Sequence, residues 1–150
     1  MTMDFPQADT DTLEILVVED NPVDIHMMRQ AILTWEIKIN LRVARHGEEA
    51  LNYLFRRGDY AEAVKPHLVI LDLNLPRKNG REVLAEIRKV PATSDIPVIV
   101  LTTSDAESDA RISFELGASL FYRKPEDLDA FLDVMASIQD FCRTLLNPPS

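Results

Sequence analysis

The run LVILDLNLPRKNG (68–80) begins with four apolar residues, after which an aspartate, Asp72, arrives. An ionised carboxylate at the end of a buried strand is costly unless something compensates it. Other reactive groups close apolar runs in the same way. Glu19 and Asp20 follow LEILVV (13–18), Thr102 stands one residue before the end of IPVIVLTT (96–103), and Lys124 stands near the end of ASLFYRKP (118–125). If the carboxylates meet, each pair about 4 Å apart repels by roughly 4 kcal/mol at an effective dielectric near ~20. A proton or a cation must answer that repulsion. Lys124 supplies one positive charge and leaves the set net negative. An oxygen-lined, net-negative, partly exposed pocket suits Mg²⁺, which keeps several waters beside one or two carboxylates. A cation there would also neutralise a phosphoryl group on Asp72, with Lys124 as a second counter-charge. A carboxylate is a recognised nucleophile for phosphoryl transfer. The pattern points to Asp72 as a phosphoryl acceptor, against the plainer reading of unrelated polar residues collected at strand ends.

These groups can meet only if the elements between them bring the strand ends to one edge. Asn21 and Pro22 are a capping side chain and a proline at the first helical position. Val23, Met27, Ala31 and Trp35 then share one face of the helix that follows. NLRVAR (40–45) alternates like a strand, HGEEALNYLFRRG (46–58) is helical between glycines, and HLVILD (67–72) is the strand before Asp72. REVLAEIRKV (81–90), AESDARISFELG (106–117) and DLDAFLDVMASIQDFCRTLL (127–146) are three further helices. Strand and helix alternate five times, which predicts an α/β fold with a five-stranded, doubly wound parallel sheet and helices on both faces. Near-continuous apolar strands agree with burial on both sides. In such sheets the active crevice lies outside the C-terminal ends of the strands, where Glu19, Asp20, Asp72, Thr102 and Lys124 all fall.

The bulk composition narrows the function classes. The 150 residues fit one domain. The 25 acidic residues against 16 basic give a net charge of −9, which argues against a nucleic-acid surface. The lone Cys142 excludes an internal disulfide, suits a reducing cytoplasm and reads as a small apolar helix residue. No apolar run reaches membrane-spanning length, and the acidic start lacks the pattern of a signal peptide. The expectation is a cytoplasmic protein with a disordered segment at 1–12, one domain at 13–146 and a tail at 147–150. His26, His46 and His67 lack metal-ligand spacing and read as surface or core residues.

VVEDNP, ILDLNLP with its following glycine, VLTTS and the late KP together resemble the receiver domain of two-component response regulators. The resemblance covers about residues 13–146 and implies the flavodoxin-like receiver fold. It also implies that Asp72 is the phospho-acceptor and that Asp20, with Glu19 less directly, holds Mg²⁺. Asn74 would complete the metal site through its backbone carbonyl, Thr102 would be the switch hydroxyl and Lys124 the phosphate-binding lysine. Phe121 would be the aromatic whose rotamer reports the state, and the Lys124–Pro125 peptide bond would be cis. LFRRGDYAEA followed by DLNLPRKNGREVL, with no output domain, is similar to the small response regulators that partner cyanobacterial phytochromes. That likeness implies a phytochrome histidine kinase as partner and no turnover of an external substrate.

Two positions depart from the family pattern. Glu19 stands where many receivers have aspartate, so it should reach a metal only through water or with a shifted backbone. Thr103 follows Thr102 where a small residue is common, and its β-branched side chain would crowd the route to the phosphoryl group. The resemblance further implies that Thr102 moves inward on phosphorylation and that Phe121 fills the vacated space by packing alone. The change would spread to the face made by the fourth helix, fifth strand and fifth helix. On that last helix the apolar residues spread over about 180°, where a helix on a single core shows a stripe nearer ~100°. The excess, Val134, Phe141 and Leu145, marks a candidate homodimer contact; the alternative is a helix sunk deeper in its own domain. Two rival functions remain: a receiver-like interaction module that no longer uses phosphate, and an aspartate-based phosphohydrolase. The second would need an acid/base where Asn74 stands.

Overall fold

The computed structural model describes residues 12–103 and 107–146. Five strands, β1 (Thr12–Val18), β2 (Lys38–Ala44), β3 (Leu68–Leu71), β4 (Val98–Thr102) and β5 (Leu120–Arg123), alternate with five helices. The helices are α1 (Pro22–Leu33), α2 (Gly47–Leu54), α3 (Gly80–Lys89), α4 (Glu107–Glu115) and α5 (Leu128–Leu146), with a 3-10 turn at Gly58–Tyr60. The sheet is wholly parallel with strand order β2-β1-β3-β4-β5, as the alternation predicts. The order reverses between β1 and β3, and that is where a crevice opens in this architecture.

Every residue of β1, β3 and β4 is buried, and successive side chains point to opposite faces. Leu16, Val18, Leu71 and Val100 join Leu51, Leu54, Val83 and Ile87 in the core on the α2–α3 side. Ile15, Val17, Ile70 and Ile99 join Met28, Phe131, Met135 and Ile138 in the core on the α1–α5 side. Cys142 belongs to the second core and is fully buried, and burial pushes its thiol up to about 12. Among the described residues no helix is long and apolar enough to cross a membrane.

The helix starts follow the capping residues. Asn21 Oδ1 accepts from Val23 N (2.9 Å) and Asp24 N (3.2 Å), with Pro22 first in the helix. Asn79 Oδ1 accepts from Glu82 N at 3.1 Å. His46 caps α2 through Nδ1, which accepts from Glu49 N at 3.1 Å, and His67 Nδ1 accepts from Glu14 N at 2.9 Å. Two of the three histidines are thus backbone acceptors and His26 is exposed.

Several expectations need correction. On α1, Met27, Ala31 and Trp35 pack on the core as expected, beside Ile25, Met28 and Ile32, but Val23 is 63% exposed. Asp24, in the first turn, faces Lys124 at 2.8 Å; Val23, ~100° away around the axis, then turns to solvent. Helix α2 ends at Leu54 rather than running to 58, because Arg56 (φ 57°) and Gly58 (φ 56°) are left-handed. Thr12, placed by the sequence in a disordered segment, already pairs with Lys38; residues 1–11 and 147–150 lie outside the described residues. The Lys124–Pro125 bond is trans, since no described peptide bond is cis; trans is the intrinsically favoured isomer by about 0.5–1 kcal/mol. Finally, Val134, Phe141 and Leu145 are half-buried against the α1–α5 core. The wide stripe of α5 is spent largely on its own domain, and Leu128 (56%) and Leu132 (44%) are the large apolar side chains that α5 exposes.

Gly80 sets how closely α3 approaches the loop after β3. A Cβ there would stand 2.4 Å from Asp72 O and 2.6 Å from Leu73 Cα, both backbone atoms that cannot swing aside. Gly80→Ala is expected to lower stability by roughly 1–3 kcal/mol, the usual cost of overpacking, read as a lower urea midpoint at unchanged slope.

Candidate functional site

Three main-chain hydrogen bonds past the ends of the strands fix the edge on which the site is built. Asp72 N donates to Val18 O (3.0 Å), Glu19 N to Ala44 O (2.9 Å) and Lys124 N to Thr102 O (2.7 Å). Each extends the pairing of neighbouring strands by one residue, so polar side chains that follow apolar runs are held as firmly as the runs.

Asp72 is 6% exposed, and both its oxygens are engaged. Oδ1 accepts from the Thr102 hydroxyl at 2.9 Å and from Asn74 N at 3.0 Å, while Oδ2 accepts from Lys124 Nζ at 3.1 Å. Lys124 Nζ also donates to Glu19 Oε1 and, at 2.8 Å, to Asp24 Oδ2. Glu19 Oε2 accepts from Asp20 N (3.0 Å) and Asn21 N (3.1 Å). One carboxylate oxygen each from Glu19, Asp20 and Asp72 lie within 4.8 Å of one another, with Asp20 exposed and the other two buried. The oxygen-only, net-negative donor set fits a hard divalent cation.

Burial drives the electrostatics of Glu19. Desolvation raises its carboxyl to about 7, with the Lys124 hydrogen bond opposing and the charge of Asp72 adding to the rise. For Lys124, burial works to lower the ammonium, but hydrogen bonds to Asp24 and Glu19 and the charge of Asp72 outweigh it. The lysine is therefore held above its ordinary range and stays charged.

The structure brings together Glu19, Asp20, Asp72, Thr102 and Lys124, and adds Asp24, which the sequence reading passed over. An acidic residue in a first helical turn ordinarily complements the helix dipole, so nothing in the sequence singled it out. Asn74 sits over the opening. Its side-chain amide donates to Thr102 Oγ1 (3.4 Å) and Thr103 Oγ1 (3.3 Å), and Thr103 is exposed at the rim. Phe121 pairs across from Val100 and packs, half-buried, against the α2–α3 core. Thr102, two residues after Val100, lies on that same face of the sheet.

The receiver domain model of the response regulator family matches residues 15–136. The response regulator Rcp1 of Synechocystis sp. is 39% identical over 127 residues, covering 85% of this chain and 86% of that protein. The crystal structure of the phosphorylated cyanobacterial phytochrome response regulator RcpA superimposes with a TM-score of 0.84 at 39% identity, covering 87% of this chain and 93% of that one. The Mn²⁺-bound form of Rcp1 gives a TM-score of 0.85 at 37% identity, covering 92% and 97%. The bacteriophytochrome response regulator RtBRR gives 0.72 at 36% identity, covering 85% and 78%.

The raised carboxyl of Glu19 has a signed consequence for stability. A carboxyl at about 7 in the folded chain, against 4.5 unfolded, binds its proton more tightly when folded. Its contribution is therefore full below pH 4.5 and is lost as the pH rises through 7. Urea midpoints of the metal-free protein are expected to fall across that window, and Glu19→Gln to flatten the fall. A wild-type profile with the same slope as the variant would show that Glu19 ionises normally.

Proposed function

The chain belongs to the response regulator receiver family, and we propose that it accepts a phosphoryl group on Asp72 from a sensor histidine kinase. The observation that carries this reading is the state of the Asp72 carboxylate. It is buried to 6% exposure and held in one orientation by Lys124, Thr102 and Asn74 N, with Glu19 and Asp20 beside it.

An Asp72 oxygen forms the new bond to phosphorus as the P–N bond of the donor phosphohistidine breaks; the leaving imidazole takes up a proton and an acyl phosphate remains. Glu19, Asp20 and Asp72, with the Asn74 carbonyl, would hold Mg²⁺, which when bound supplies positive charge for the transferring oxygens. Lys124, already bonded to Asp72 Oδ2, supplies the second counter-charge. The Thr102 hydroxyl, now donating to Asp72 Oδ1, is free to donate instead to a phosphoryl oxygen. Its inward shift opens room on the face where Phe121 packs, a local electrostatic event biasing a two-state element. Asn74 carries an amide where a phosphohydrolase would carry an acid/base, which favours a stored acyl phosphate over turnover of an external substrate.

The kinase partner on this reading is a phytochrome, supported by the likeness to the phytochrome response regulators, and the setting is the cytoplasm. The output is a homodimer through the α4–β5–α5 face. Phe114, Leu128 and Leu132 are the large apolar side chains exposed on α4 and α5, and they support that face better than Val134, Phe141 and Leu145. Light scattering at micromolar concentration, with and without phosphorylation, tests it; a monomer under both conditions removes the dimer.

Incubation with acetyl phosphate and Mg²⁺, followed by phosphate-affinity electrophoresis, is expected to give a shifted band that Asp72→Asn abolishes. A band that survives the substitution would move the acceptor elsewhere. Thr103→Ala, which opens the rim, is expected to speed both phosphorylation by acetyl phosphate and loss of the label several-fold. Equal rates would remove the steric role of Thr103.

A further inference from the structure

The open edge of the sheet carries a feature that the phosphoryl site does not use. β2 is one of the two edge strands, and a cleft of about 270 Å³ runs along it with residues 41–45 in its lining. Arg29 of α1 lines it as well, and so do Glu49, Tyr53 and Tyr60. Ala44 O accepts from Glu19 N at 2.9 Å, so Ala44 turns its main-chain groups toward β1. By the alternation of a parallel ladder, Leu41 and Val43 turn theirs outward. The edge therefore offers two donors and two acceptors with no strand beyond them among the described residues.

The charge of this cleft is opposite to that of the protein. Arg29, Arg42 and Arg45 line it against one carboxylate, Glu49, on a chain whose net charge is −9. Glu49 is already committed, since it accepts from Arg45 N at 2.6 Å and from the Tyr60 hydroxyl at 3.0 Å. Arg42 lies over the Tyr53 ring, 5.8 Å from its centroid, which fixes the guanidinium at the rim.

We propose that this edge takes a sixth strand: an extended acidic segment of a partner protein, paired through the outward groups of Leu41 and Val43, its carboxylates against Arg29, Arg42 and Arg45. Main-chain pairing supplies affinity in such strand addition and side-chain pockets supply selection. Charge complementarity selects this occupant. A second copy of the chain would bring the same arginines edge to edge, and like charges repel. A small anion would satisfy the arginines and leave the outward main-chain groups idle. The proposal stands apart from the phosphoryl reading, although Ala44 links the docked edge to Glu19 through one hydrogen bond.

The probe is a fluorescein-labelled peptide of alternating glutamate and valine, titrated by anisotropy at low salt. Saturable binding below about 1 mM is expected, and none for a lysine–valine counterpart. Arg29→Glu with Arg42→Glu and Arg45→Glu is expected to weaken it at least about tenfold. Val43→Pro removes an outward N–H without touching the β1–β2 ladder, as proline at a sheet edge can, and is expected to weaken it several-fold. In the wild type, peptide should protect the Leu41 and Val43 amides from hydrogen exchange, a readout that does not depend on how the variants fold. Absence of binding, binding indifferent to the arginines, or unprotected amides overturns the proposal. Displacement of the peptide by pyrophosphate together with unprotected amides identifies a plain anion site. A gain of about tenfold on deleting residues 2–11 identifies the chain's own segment as the occupant, which equally overturns it.

Discussion

One ammonium group holds the functional edge of this molecule together. Lys124, on the residue after β5, reaches Glu19 past β1, Asp24 in α1 and Asp72 past β3. Those three carboxylates come from three separate elements and would repel one another without it. A buried charge is tolerated only with partners and hydrogen bonds of good geometry, and here every member has them. Glu19 takes two loop N–H groups, Asp72 takes a hydroxyl and a main-chain N–H, and Asp24 lies at the solvent side. The cost falls mainly on Glu19, whose carboxyl is pushed up to about 7 by burial. The network is therefore a clamp on four elements that keeps a net negative charge, which suits a site that takes a cation in use.

The sheet explains why such a site can be carried on a small domain. Buried strands give alternate residues to the two cores, so β1, β3 and β4 are fixed from both sides. The first residue past each strand inherits that rigidity through one further ladder bond. Positioning of Asp72 thus rests on ordinary hydrophobic packing, supplemented by the close approach of Gly80 behind it. At the rim Asn74 and Thr103 are exposed and bonded to each other.

Much of this was legible in the sequence for physical reasons. Period and length separate buried strands from helices, a capping Asn21 before Pro22 marks a helix start, and charged residues after apolar runs mark the crevice. The parts that were not legible depend on rotation and on non-local partners. On α1 the expected face holds for Met27, Ala31 and Trp35, but Val23 turns to solvent because its neighbour Asp24 meets Lys124, a contact across 100 residues. The stripe of α5 gave its width correctly, but width alone does not say whether the extra residues face a second subunit or the domain's own core. RRGD (56–59) reads as a helix end and a turn, and left-handed Arg56 and Gly58 make that turn, with the helix itself stopping at Leu54.

The burial of Cys142 has a practical corollary. Its thiol is enclosed in the α1–α5 core, has no solvent exposure and is pushed up to about 12, so it offers reagents neither access nor thiolate. It becomes reactive only when α5 lifts from the sheet. The rate at which a thiol reagent consumes this protein is thus a clock for that opening, one that needs no label and no substitution.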